Sequence, residues 1–201
     1  MESKEKNTKE KILEEALKLF AQSGYMGTSM NDIASKLGVT KAALYKHYKS
    51  KQEILDSIIE KMNELDIERV KLYEMPEGDL EKVTAEYKET AFDKIKQFTK
   101  VQFLHWTEEE FSSCFRKMMT LEQYREPQMA QLYQNYLASG PLAYMEALFS
   151  GMLGDAEKAR QTALDFYGPI FLLYSIYDGA EDKSHVINWK SIWIISYRKC
   201  R

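Results

Sequence analysis

Cysteine, proline and glycine are all scarce in this 201-residue chain, at two, four and nine residues. Cys114 and Cys200 are too few for a disulfide scaffold and fit a reducing compartment. So few turn-forming residues argue against a loop-rich β-sandwich and for long helices. The longest apolar stretch, 169–177, includes Ser175 and falls far short of the roughly 20 residues a membrane helix needs. The first residues, Met1-Glu2-Ser3-Lys4-Glu5-Lys6, lack the apolar run of a secretory signal. The expectation is a soluble, cytoplasmic protein with no membrane partner. Catalytic patterns are equally thin. His47, His105 and His185 form no H-E-x-x-H or Cys/His ligand spacing. There is no G-x-S-x-G elbow and no phosphate-cradling glycine loop. No catalytic residue, metal or cofactor is therefore expected, and Cys114 beside Phe115 reads as a small core residue.

What is present is unevenly distributed. The composition, 44% hydrophobic and 29% charged, suits a globular core. Residues 1–51 hold ten lysines against six acids, a charge of +4, which leaves −7 on the remainder. A small basic head on a large acidic body points to an anionic partner for the head alone.

The periodicity is helical nearly throughout. Ile12, Leu13, Ala16, Leu17 and Phe20 form one apolar stripe, ended by Gly24 and Gly27. A short helix follows on Met30, Ile33, Ala34 and Leu37, capped by Ser29 with Asp32 and stopped by Gly38. A third covers Lys41 to Tyr48, with Leu44 and Tyr48 facing inward. Ser50 and Glu53 form a capping box for a long fourth helix that ends before Pro76. Beyond it, one helix is expected over 79–106 and another from a Thr107–Glu110 capping box. Pro127 opens the next, which Ser139-Gly140-Pro141 interrupts. A further helix runs from Asp155 to about Tyr177, with a kink at Gly168-Pro169, and a last element covers Ser184 to Arg201.

Three short helices in about 40 residues with a tight Gly38-Val39-Thr40 turn describe a helix-turn-helix. A recognition helix enters the major groove only if its exposed face is small or polar near its N-terminus. Lys41, Ala42, Tyr45 and Lys46 offer such a face, and Thr40 caps it. Lys49 and Lys51 follow at a helix start, where backbone N–H groups suit a phosphate.

The stretches Gly24-Tyr25-Met26-Gly27-Thr28-Ser29-Met30-Asn31-Asp32-Ile33-Ala34 and 37–51, from Leu37-Gly38-Val39-Thr40-Lys41 to Tyr48-Lys49-Ser50-Lys51, resemble the N-terminal domain of the TetR/AcrR family of bacterial transcription regulators. The likeness covers about a quarter of the chain. It implies an all-α protein with an N-terminal helix-turn-helix DNA-binding domain, residues 1–51. A helical-bundle effector and dimerisation domain, residues 52–201, would follow. It implies phosphate contacts from Thr28, Tyr45 and Lys51, base-edge proximity for Thr40, Lys41 and Ala42, and a phosphate contact or simple packing for His47. The implied partners are operator double-stranded DNA, a small-molecule effector and a second copy of the chain, joined through the C-terminal helices.

Only Phe20, Tyr25, Tyr45 and Tyr48 of the 25 aromatics fall within residues 1–51. In the body, Phe103, Trp106, Phe111, Phe115, Met118, Met119, Tyr144, Met145 and Tyr174 are either core or the lining of an effector pocket, where Met and aromatics adapt to irregular space. The C-terminus departs from the family. Trp189, Ile192, Trp193, Ile194 and Ile195 cluster without clean amphipathicity among basic residues. The function expected is a ligand-responsive repressor. The rivals are a small-molecule-binding helical enzyme and a helical protein-interaction module.

Overall fold

The computed structural model describes residues 2–183, and these hold ten α-helices and no strand. The element expected over 184–201 lies outside the described residues. Two compact units form. The first runs through Arg69 and adds Glu109–Tyr133; the second holds Val70–Glu108 and the chain from Gln134 onward. The 51-residue head lies wholly within the first.

In the first unit, α1 (Glu2–Ser23) buries its stripe of Ile12, Leu13, Ala16, Leu17 and Phe20. It packs on α2 (Met30–Lys36) and more extensively on α7 (Glu110–Glu122). The helix α7 is buried almost all round, on Phe111, Phe115, Met118 and Met119 as well as Ser112, Arg116 and Glu122. That is the mark of a core helix, not a surface one. Lys18 of α1 adds a polar tie, 3.1 Å from the Glu110 carboxylate. The five-residue α3 (Lys41–Tyr45) packs on α2, and α4 (Lys51–Leu72) buries Ile54, Leu55, Ile58 and Met62. The helix α3 is shorter than the expected 41–48, although His47 and Tyr48 still donate their N–H groups to the Leu44 carbonyl. The helix α4 ends ahead of Pro76, as expected. Its closing residue is Glu74, at φ 48°, where the Met75 N–H reaches the Val70 carbonyl at 3.0 Å.

In the second unit, α5 (Leu80–Glu89) and α6 (Phe92–Glu108) replace the single helix expected over 79–106. Thr90 takes an extended conformation, ψ 127°, while its hydroxyl donates to the Glu86 carbonyl. That alternative bond satisfies the helix end where no Pro or Gly marks one. The Thr107–Glu110 capping box does not form either. Thr107 remains inside α6, donating to the Phe103 carbonyl at 2.8 Å, and Glu109 caps α7 through the Phe111 and Ser112 N–H groups. The acidic triplet still serves a helix start, with the cap two positions later. Next come α8 (Pro127–Leu137), α9 (Ser139–Leu153) and α10 (Ala156–Gly179). The break between α8 and α9 falls at Ala138, and Pro141 lies in the first turn of α9, where its missing N–H costs nothing. Gly154, at φ 68°, and the Asp155 cap turn the chain so that α10 packs along α9. Pro169 lies inside α10. The helices α5 and α9 approach closely at Gly151, where a Cβ would sit 2.8 Å from Thr84 Cγ2.

Candidate nucleic-acid interface

The reading segment is built by caps. Ser29 and Asp32 exchange both bonds of a capping box at the start of α2, and the Ser29 hydroxyl and N–H hold the Asp32 carboxyl below its usual range. Gly38, at φ 67°, closes α2 while Val39 N–H bonds the Ala34 carbonyl at 3.0 Å. Thr40 then accepts from Ala43 N–H at 3.2 Å to open α3. These signals fix a tight turn, and Leu44 and Tyr48, both buried, seat α3 on its neighbours.

Lys41, Ala42, Tyr45 and Lys46 are exposed together, with Thr40 at their head. Tyr45 is 41% exposed, and the Lys41 ammonium lies 5.8 Å from its ring centre. The arrangement presents two cations, a phenol and a small methyl within six positions, the set that can read base edges and grip phosphate. Sequence reasoning missed Val39. It is 44% exposed at the turn, where an apolar side chain can meet a thymine methyl. Its signal was an apolar residue placed between two capped helices, outside either core stripe.

Thr28 and Lys51, both expected at phosphates, make hydrogen bonds within the protein. Thr28 is 3% exposed and its hydroxyl donates to the Gly24 carbonyl at 2.8 Å. Lys51 Nζ donates to the carbonyls of Tyr25, at 2.5 Å, and Thr28, at 2.8 Å. His47 is half-buried, and its Nδ1 is buried without a hydrogen-bond partner.

The nine residues considered for an effector pocket divide between the two units. Phe111, Phe115, Met118 and Met119 are buried on α7 in the first unit. Phe103, Trp106 and Tyr174 are buried in the second, where the Phe103 and Tyr174 rings stack at 5.2 Å. Tyr144 is 49% exposed and Met145 half-buried. The second unit also has an open groove of 990 Å³ between α5 and α9, lined by Leu80, Thr84, Ala85, Lys88, Ala147 and Gly151 among others. None of the nine lines it. Its small residues leave no aromatic pattern to read.

Residues 12–58 match the model of the bacterial regulatory proteins, tetR family. The head is similar to IcaR of Staphylococcus epidermidis, the HTH-type negative transcriptional regulator of the biofilm operon icaADBC. The identity is 42% over 52 residues, which is 26% of this chain and 28% of that protein. The chain thus aligns with little more than a quarter of the curated relative's length. Over nearly the whole chain, the fold is similar to a solved Clostridium perfringens protein titled as a candidate fatty acid metabolism regulator. The TM-score is 0.58 at 24% identity, covering 92% of this chain and 96% of that one. Salmonella enterica GusR is similar at TM-score 0.56 and 18% identity, covering 96% and 92%. Among the described residues, no helix is long and apolar enough to cross a membrane.

Proposed function

With a head that places the chain in the tetR family of bacterial regulatory proteins, we propose that it is a ligand-responsive transcription regulator of the repressor type. The observation that carries the reading is the exposed face of α3, where Thr40, Lys41, Ala42, Tyr45 and Lys46 stand clear of the core. The head's similarity to a negative regulator supports repression. A dimer is supported by the outer face of α10. Leu164, Phe171, Leu172 and Ile176 are exposed there with Gly168 and Ser175 between them, and Asp165 is the one charged residue between 164 and 176. Two copies joined through such a face present two heads, so the operator is a pseudo-palindrome. Its half-sites lie one helical turn, about 34–36 Å, or a multiple apart.

The effector is a small, largely apolar molecule taken up by the aromatic and methionine-rich body. It acts by linkage: binding better to the DNA-incompetent form lowers operator affinity by that difference and no more. Selection of bound sequences from a random DNA pool tests the reading. An enriched two-fold symmetric site supports it. Enrichment of nothing, with binding independent of salt, favours a protein-interaction module, and turnover of a bound small molecule favours an enzyme.

A further inference from the structure

The two ends of the reading segment are tied together by one side chain. Residues 29–50 begin after Thr28, in the turn that follows α1, and rejoin the core at Lys51, the first residue of α4. Lys51 Nζ reaches back over more than twenty positions to the carbonyls of Tyr25 and Thr28, and it lies 4.2 Å from the centre of the Tyr25 ring. An ammonium has three N–H donors. Two are engaged by carbonyls and the ammonium lies beside an aromatic ring, so a phosphate would compete with contacts already made within the protein. A second tie runs beside the first, from the Tyr25 hydroxyl to Gln52 Oε1 at 3.1 Å.

A buried acid faces this knot. Glu122 of α7 is 0% exposed, and among the described residues neither carboxylate oxygen has a hydrogen-bond partner. Its carboxylate lies against the backbone of Gly24, so closely that a Cβ on Gly24 would overlap it. Arg125 Nη1 is 3.9 Å away, and burial pulls the Lys51 ammonium below its usual range while the field of Glu122 opposes that fall. A carboxylate so enclosed needs a compensating charge. Arg125 and the half-buried Lys51 are the cations that reach it.

We propose that Lys51 is a positioning residue and not a phosphate contact: its ammonium buckles the two ends of the reading segment, with Glu122 as the buried counter-charge. The buckle fixes how α2 leaves α1, and through the packing of α3 on α2 it sets the approach of Lys41 and Tyr45 to the groove. The inference rests on the DNA-binding reading, and its test separates the two.

Three variants of the full chain, Lys51→Met, Glu122→Gln and Lys46→Met, are titrated with a selected operator and with unrelated DNA over a salt series. A lost phosphate contact weakens binding to all sequences alike and lowers the salt slope by about 1 per protomer. That is the outcome for Lys46→Met. Lys51→Met instead loses roughly 10- to 100-fold on the operator, within the range for misplaced base contacts. It keeps the parent's salt slope and its affinity for unrelated DNA. Glu122→Gln changes in the same direction by less. Loss of folded protein would lower both affinities together, so it cannot mimic this pattern. A Lys51→Met variant that binds all DNA more weakly with a shallower slope, or that binds the operator as the parent does, overturns the proposal. If the parent binds no DNA, the DNA-binding reading fails while the buckle is still decided by amide hydrogen exchange. Faster exchange over 30–48 in Lys51→Met than in Lys46→Met supports it, and equal exchange overturns it.

Discussion

The helices α3 and α7 belong to the same compact unit and are held in opposite ways. The helix α3 has five residues, exposes Lys41, Ala42 and Tyr45, and buries Leu44 alone. A helix that short has no stability of its own in water. It exists because Thr40 caps it, Gly38 turns the chain into it, and Leu44 and Tyr48 seat it. The helix α7 has 13 residues and hides most of them. Its position is set by burial, at about 1.5–3 kcal/mol for each fully buried large apolar side chain. A groove-reading element must keep its surface free, so its precision has to come from its ends. A core helix can take its precision from its sides.

The largest effects should therefore come from α7. Phe115 is wholly buried there, and Phe115→Ala should cost about 3–5 kcal/mol of unfolding free energy, read from the urea midpoint. A loss under 1 kcal/mol would mean that α7 does not carry the core of this unit. Next is Gly24, at φ 82° with the Glu122 carboxylate against it. Gly24→Ala should cost about 2–4 kcal/mol, the left-handed backbone adding to the overlap. Putting Glu122→Ala in the same chain should recover the overlap part and leave the backbone part. Additive costs in that double-mutant cycle would show that the two residues do not meet.

At α3 the expected effect moves from stability to binding. Lys41→Ala and Tyr45→Ala should each weaken operator binding by about 5- to 150-fold and leave the melting temperature nearly unchanged, because both are exposed. A fall in melting temperature matching that of a core variant would break the contrast between the two helices.

The contrast also explains what could be read without coordinates. The head was legible because its signals are local and mutually consistent: Ser29 with Asp32, Gly38, then Thr40. The α5–α6 break at Thr90 was not, since a side-chain bond to the Glu86 carbonyl ends α5 with no Pro or Gly. Composition could not tell that Lys51 turns inward, because that depends on carbonyls more than twenty residues away. Nor could spacing show that Phe115 and Phe103, twelve positions apart, fall in different units. An aromatic count registers how much apolar surface there is to bury, not which core buries it.

The smallest effect at neutral pH concerns α5, an element between the two extremes. Asp79 caps it, accepting from Lys82 N–H at 2.9 Å, and Val83 and Thr84 anchor its inner face. Tyr87, on the same helix, is half-buried, and burial raises its phenol from the ordinary 10.0 to about 12, with nearby Tyr144 adding to the rise. A pKa raised in the folded state means the folded chain holds its proton where the unfolded chain has lost it. The stabilisation is therefore complete below pH 10 and is lost as pH climbs from 10 towards 12. Other tyrosines shift in the same direction, including Tyr25, Tyr48 and Tyr144, so the parent's alkaline loss belongs to several groups. The difference between parent and Tyr87→Phe isolates one. Urea midpoints of the two should keep a constant gap from pH 7 to 9.5, then converge or cross as the parent alone loses Tyr87's share. A gap that stays constant to pH 12 would place Tyr87 in contact with solvent and leave α5 held by its cap and by Val83 and Thr84 alone.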